Sequence, residues 1–176
     1  MQNRYIMTAF GKDRPGIVAD VTQVLYENNC NLEDTTMSML SDEFTINLLF
    51  SSNDDNIEST LLEECRDLEQ KKSISAFIRP LKERRPASLA GFASCTLHVE
   101  GMDQAGIVYK ISRFLSEHSL NIVDLKSTMK VTPESGTNLY LMDIHIQIPK
   151  SISRKNLEEG LNAVAEELNV EITVAA

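Results

Sequence analysis

No apolar run in the chain approaches the ~20 residues that a membrane-spanning helix needs, so no such helix is expected. Positive charge is also in short supply. Seventeen Lys and Arg stand against 26 Asp and Glu, a net charge of −9. Such a chain repels a phosphate backbone, and direct nucleic-acid binding is not expected. The one local exception, Lys82-Glu83-Arg84-Arg85, reads as a solvated linker. Cysteine is scarce and odd in number: Cys30, Cys65 and Cys95, widely spaced. The segment from Met1 to Ile6 lacks the apolar core of a signal peptide and runs straight into a strand pattern. Free thiols in a reducing cytoplasm are therefore the expectation.

The signatures of catalysis and of metal binding are missing as well. There is no Gly-rich phosphate loop, and no Ser/His/Asp order recurs along the chain. Cys95 and His98 are three apart on one strand, so they face opposite sides of a sheet. His98, His118 and His145 read as structural or solvated residues. Carrying a metal in the first loop would need a cysteine pair there. The loop reads Gly11-Lys-Asp-Arg-Pro-Gly16 instead. The stretches Glu43 to Leu48 and Leu139 to Ile144 lack the Gly-Phe and basic pattern of an RNA-reading sheet. No enzyme activity, cofactor or metal is expected.

What the chain does have is a repeat. Gly11-Lys-Asp13-Arg-Pro15-Gly16-Ile17-Val18 returns as Gly101-Met-Asp103-Gln-Ala105-Gly106-Ile107-Val108, ninety positions later and without a gap. Leu25, Glu27, Asn31 and Asp34 reappear as Leu115, Glu117, Asn121 and Asp124. A repeat of this length is a whole folding unit. Two units of roughly 75–80 residues each lie near the lower limit for a self-sufficient core, so each is expected to lean on a neighbour.

Hydrophobic periodicity gives the same element order in both. Cys95, Leu97 and Val99 alternate with Thr96, His98 and Glu100, the pattern of a half-buried strand. The aligned first strand turns Tyr5, Met7 and Ala9 to the helices. Its other face, Ile6, Thr8 and Phe10, is apolar enough to expect burial against the second repeat or a partner chain. Ile17, Val18, Val21, Val24 and Leu25 fall at helical spacing, as do Ile107, Val108, Ile111, Phe114 and Leu115. Pro15 suits a first helical turn. A hairpin follows each helix: Asn31 onward and Glu43 to Phe50 around Ser41-Asp42, then Asn121 onward and Leu139 to Ile148 around Pro133 to Gly136. A second helix (Ile57, Leu61, Cys65, Leu68; then Leu157, Leu161, Val164, Leu168) and a last strand (Ile74 to Ile78; then Val170 to Val174) close each unit. The expected class is α+β: two tandem ferredoxin-like βαββαβ domains, each an antiparallel sheet with both helices on one face. The expected boundaries are residues 1–80, a linker at 81–93, and 94–176.

The junction between the first strand and the first helix is the place for chemistry. Gly11 permits a turn closed to residues with a Cβ. Asp13 stands where a short carboxylate caps a helix, and Gly16 leaves the first helical turn open to close approach. Free N–H groups and the positive end of the helix dipole suit a carboxylate. Asn31, past the far end of the helix, both donates and accepts. The architectural alternative assigns the glycines to the turn, Asp13 to the cap and Asn31 to ending the helix.

These residues resemble the ACT domain, a regulatory module that binds amino acids. Gly-x-Asp-x-Pro-Gly-Ile-Val, a helix, then Asn-Leu-x-Asp and a hairpin carry the resemblance over 4–80. The second unit, over 94–174, departs from it at Gln104 and Ala105. Two such modules filling a short chain resemble the family of glycine cleavage transcriptional repressors. The resemblance implies an effector amino acid, with glycine the first candidate, at an interface between modules. It would contact Gly11, Asp13, Arg14, Gly16, Ile17 and Asn31 in unit 1, and Gly101, Asp103, Gly106, Ile107 and Asn121 in unit 2. It also implies a homodimer that meets a transcription regulator by protein contact, not DNA. Two other readings stay open: a scaffold that has lost its ligand, and a separate regulatory subunit of an amino-acid metabolic enzyme.

Overall fold

The computed structural model describes residues 3–81, 91–132 and 136–175. Most of the expected linker, including Lys82 to Arg85, and the hairpin tip from Pro133 to Ser135 lie outside the described residues. The chain divides into two compact units, Met1–Pro86 and Ala87–Ala176.

Unit 1 runs β1 (Asn3–Lys12), α1 (Ile17–Glu27), β2 (Asn31–Leu40), β3 (Glu43–Ser52), α2 (Ile57–Lys72) and β4 (Ser75–Leu81). Unit 2 repeats it as β5 (Phe92–Met102), α3 (Ile107–Glu117), β6 (Asn121–Val131), β7 (Asn138–Pro149), α4 (Arg154–Leu168) and β8 (Val170–Ala175). The sheets have the orders β2-β3-β1-β4 and β6-β7-β5-β8, antiparallel throughout. This is the βαββαβ arrangement read from the sequence. β4 continues to Leu81 and β5 begins at Phe92, so regular structure reaches into both ends of the expected linker.

Period-two alternation decides the cores. Tyr5, Met7 and Ala9 are buried with Phe44, Ile46, Leu48 and Phe50 beneath the helices, and Cys95, Leu97 and Val99 with Met142, Ile144 and Ile146. The helices contribute Ile17, Val21, Val24 and Leu25, then Ile107, Ile111 and Leu115. Val18 and Val108, read as part of the same stripes, instead point outward, 40% and 39% exposed. They lie one residue past a core position, about 100° around the helix. In α4, Ala165 is buried and Val164 only partly so.

The other face of each sheet behaves differently from its twin. In unit 1 Phe10 stacks on Phe77 with ring centroids 6.2 Å apart, yet the two rings remain 42% and 64% exposed. Among the described residues of unit 1 this face has no covering layer, so its expected burial needs a second module or a partner chain. In unit 2 the same face is polar. His98 Nδ1 meets Asp143 Oδ1 at 2.6 Å, and His145 Nδ1 meets Thr96 Oγ1 at 2.8 Å.

Two glycines read from the sequence as turn residues serve a different purpose. Gly11 and Gly101 lie within β1 and β5. A Cβ on Gly11 would stand 3.0 Å from the Ser73 carbonyl oxygen, and one on Gly101 2.6 Å from Val170 Cγ1. What each position needs is room for the closing strand, not an unusual φ. Gly160 plays a similar part in α4, where a Cβ would come within 2.6 Å of Phe114 Cζ.

The turn into α1 is built by the next glycine along. Gly16 has φ 89° and ψ −5°, and the Ile17 N–H donates to the Arg14 carbonyl at 3.2 Å. With Pro15 before it, this is a type II turn. Pro15 therefore sits in the turn and not in the first helical turn. Gly106 repeats the conformation at φ 98° and ψ −3°, although Ala105 replaces the proline.

Gly101→Ala is expected to destabilise unit 2 by about 1–3 kcal/mol through overpacking. Adding Val170→Ala should recover part of that loss, giving a double variant more stable than the two single effects sum to in urea titrations. Gly106→Ala, forced into left-handed backbone, should lose about 1–2 kcal/mol. Ala105→Pro should gain about 0.4–1 kcal/mol by stiffening the unfolded chain, read in the same titrations.

Candidate functional site

The loop of unit 1 is fastened on both sides. The Asp13 N–H donates to the Asp42 carbonyl at 2.8 Å, tying the loop to the β2–β3 turn. The Gly16 carbonyl accepts the Asp20 N–H at 2.9 Å, which opens the helix. Among the described residues no side-chain cap bond closes the start of α1 or α3, where the N-cap residues are Gly16 and Gly106. The sequence expectation of Asp13 as a cap is therefore corrected: Gly16 takes the N-cap place, with no side-chain cap hydrogen bond. A helix start leaves its first-turn amides without intrahelical acceptors, here those of Val18 and Ala19, an arrangement that suits an anion. In unit 2 the Asp103 N–H reaches the Asn138 carbonyl at 3.3 Å, and the Gly106 carbonyl accepts the Lys110 N–H at 2.9 Å.

Ile17 and Ile107 belong to the cores, 3% and 2% exposed, so their side chains hold the helix down and do not line the mouth. Asp13, Pro15, Gly16, Asp103 and Ala105 are exposed; Arg14 and Gly106 are half-buried.

Asn31 and Asn121 open β2 and β6 and are exposed. They are not brought to the loop of their own unit. Asn31 stands opposite Ser51, whereas the loop leaves β1 at Lys12, opposite Glu43. The eight residues from 43 to 51 span about 26 Å of strand. That is several times the length of a free amino acid. The loop and the asparagine of one unit therefore cannot hold the same small ligand.

Immediately after each asparagine the pairing slips by one residue, at Glu33 between Leu32 and Asp34, and at Val123 between Ile122 and Asp124. Bulges at sheet edges re-aim side chains. Glu33 uses this to meet Arg4, with Nε 2.9 Å and Nη2 2.5 Å from its carboxylate oxygen. That arginine holds the Glu33 carboxyl below the usual range, with Ser51 assisting.

Every residue of β2 is exposed. Leu32, Met37 and Met39 are 44%, 51% and 45% exposed at this open edge. Unit 2 repeats the character with Val123, Met129 and Val131.

Sequence reasoning missed Asp20. Its Oδ2 accepts from Arg14 Nη2 at 2.5 Å, and its Oδ1 lies 3.3 Å from Lys72 Nζ. The Arg14 hydrogen bond, followed by that of Lys72, outweighs desolvation and holds the Asp20 carboxyl below the usual range. The only signal was an Arg and an Asp six apart across a turn, a spacing with no helical meaning until the turn is known. In unit 2 Gln104 donates to the Leu168 carbonyl, and Lys110 pairs with Glu167 at 2.7 Å.

A hollow between α1 and α2 is lined by four carboxylates, Asp20, Glu27, Glu64 and Asp67, against two cations, Lys71 and Lys72. Its carboxylates disfavour an anion, so the loop mouth is the better seat for one. Among the described residues no group of three His, Cys, Asp or Glu is placed to hold a metal. Among the described residues no helix is long and apolar enough to cross a membrane.

The family described as ACT domain matches residues 3–77. The chain is 29% identical over 174 residues to the glycine cleavage system transcriptional repressor of Escherichia coli (strain K12), covering 97% of this chain and 88% of that protein. The crystal structure of an unknown protein from Galdieria sulphuraria superposes with a TM-score of 0.79 at 25% identity, covering 99% of this chain and 98% of that one. A crystal structure of a candidate glycine cleavage system transcriptional repressor gives 0.69 at 22% identity, covering 99% and 96%, a likeness of fold. Residues 3–77 of unit 1 match the ACT domain, and unit 2 repeats its topology and its left-handed glycine, so the chain is built as two tandem ferredoxin-like βαββαβ domains of ACT type.

Proposed function

We propose that this chain is a regulatory protein without catalytic activity that responds to a small free amino acid, glycine first among the candidates. The observation that carries the reading is the uncapped mouth of α1, with first-turn amides that lack intrahelical acceptors and the Arg14 guanidinium beside them. Main-chain amides and a helix dipole receive a carboxylate there. The likeness along nearly the whole chain to a transcriptional repressor supports a regulatory role and a protein partner that is itself a transcription regulator. The acidic net charge of −9 favours protein contact over DNA contact.

Geometry also constrains how a ligand is enclosed. The loop and Asn31 lie at opposite ends of a unit, so one amino acid meets both only where the loop of one ACT module adjoins the β2 start of another. The exposed apolar edge of β2 gives such a neighbour something to cover. We therefore expect a homodimer. Ligand binding then shifts function by favouring one arrangement of modules over another, since only differential affinity moves an equilibrium.

Unit 2 favours a second reading for itself. Gln104 and Ala105 replace the arginine and proline, and Gln104 is spent on the Leu168 carbonyl. That half of the chain can serve as a scaffold without a ligand of its own.

Calorimetry of the full chain against a panel of amino acids is expected to give saturable heat with at least one of them. Asn31→Ala should weaken that binding about tenfold with an unchanged melting temperature. No heat and no thermal stabilisation with any amino acid would leave the scaffold reading standing. Recovery of an amino-acid metabolic enzyme in pull-downs, in place of a transcription regulator, would select the regulatory-subunit alternative. Sedimentation velocity at micromolar concentration should show a dimer.

A further inference from the structure

Two positions of the repeat have changed together. Arg14 and Gln104 occupy the same place in the two loops, and Asp20 and Lys110 the same place in the helices that follow. In unit 1 the Asp20 carboxylate spends one oxygen on Arg14, at 2.5 Å, and the other faces Lys72, at 3.3 Å. One side chain thus joins the loop, α1 and the end of α2. The Asp20 side chain is 16% exposed, while Arg14 is 40% exposed. The anchor is shielded and the guanidinium is presented. Arg14 Nη1 lies 3.9 Å from the place a Cβ on Gly16 would occupy, and 3.5 Å from the Pro15 carbonyl oxygen. The guanidinium is therefore held over the turn that opens α1.

A guanidinium carries five N–H donors. Asp20 and the Pro15 carbonyl engage two of its nitrogens, and the donors that remain can meet a third acceptor. An arginine already fixed in place loses less rotamer entropy on capturing a carboxylate than a free one. The charges add in the same direction. Arg14, Lys72, Asp20 and the loop's Asp13 sum to zero in unit 1, whereas Gln104, Lys110, Glu167 and Asp103 sum to −1 in unit 2, so unit 1 is the more positive by one charge.

We propose that Asp20, anchored by Lys72, is a positioning residue that holds Arg14 at the mouth of α1 for the carboxylate of the ligand, which makes unit 1 the tighter-binding half of the chain. The proposal rests on the amino-acid reading of this site. It assigns Asp20 no contact with the ligand; the residue acts through Arg14.

The test is calorimetry of the full chain with glycine, or with whichever member of the amino-acid panel binds, at low and high salt. Asp20→Asn should keep the melting temperature within a few degrees, weaken binding about three- to tenfold and flatten its salt dependence. Asp20→Glu should restore most of the loss. In an Arg14→Gln background, Asp20→Asn should have no further effect, because the residue it positions is gone. Should Asp20→Asn fail to fold, Lys72→Met puts the same question through the anchor and should also weaken binding. Wild-type affinity in Asp20→Asn or Lys72→Met, or an equal loss with and without Arg14, overturns the positioning role while leaving the amino-acid reading intact. Absence of binding by the wild-type chain overturns both.

Discussion

Each unit must pass from the end of a central strand into a helix within four residues, and do so without spending a side chain on the helix end. The left-handed glycine at 16, repeated at 106, solves this. Residues with a Cβ resist that conformation, and glycine does not. The turn sets the direction of α1 and so brings Ile17, Val21 and Val24 onto the sheet. It also leaves the first-turn amides without intrahelical acceptors. The same backbone event thus seats the core and makes the mouth proposed to receive an anion. Gly11 and Gly101 do the complementary work beneath it, by letting the closing strand run close to the central one.

Magnitudes separate what holds the fold from what tunes the site. A buried Leu, Ile, Phe or Met contributes about 1.5–3 kcal/mol, and each unit has a continuous set of them between sheet and helices. An exposed ion pair contributes about 0–1 kcal/mol. Pairs such as Lys71 with Asp67 or Arg113 with Glu117 therefore matter little to stability. The Arg14, Asp20 and Lys72 group has a different value, because it fixes the direction of a charge beside the start of α1. The divergence of unit 2 at these positions leaves its fold untouched.

The fold was legible because its signals are local. The alternation through Cys95, Leu97 and Val99 names the buried face of a strand, and the spacing of Ile57, Leu61, Cys65 and Leu68 names a helix. The site was legible only in part. Gly11 was visible as a special residue, but its reason lies in Ser73, far along the chain. Val18 looked like core because one apolar residue beside a stripe cannot be told from the stripe itself. The bulge at Glu33 has no signature in composition. The separation of Asn31 from the loop follows from strand register, which periodicity does not fix. Asp20 became meaningful only once the turn at Pro15 and Gly16 folded Arg14 back over the helix.

The contrast between the two open sheet faces bears on how a duplicated chain avoids exchanging parts with itself. Tandem copies of one topology are prone to misassembly, in which a hairpin from one copy completes the sheet of the other. Here such an exchange is disfavoured. The Phe10 and Phe77 stack belongs to one sheet, and the His98–Asp143 and Thr96–His145 pairs to the other. A β7 strand laid beside β1 in the equivalent register would put His145 against Ile6, without the Thr96 hydroxyl, and Asp143 against Thr8 in place of His98. The duplication survives in the loops that make the mouths, while the sheets have drifted far enough apart to tell their own strands from the other copy's.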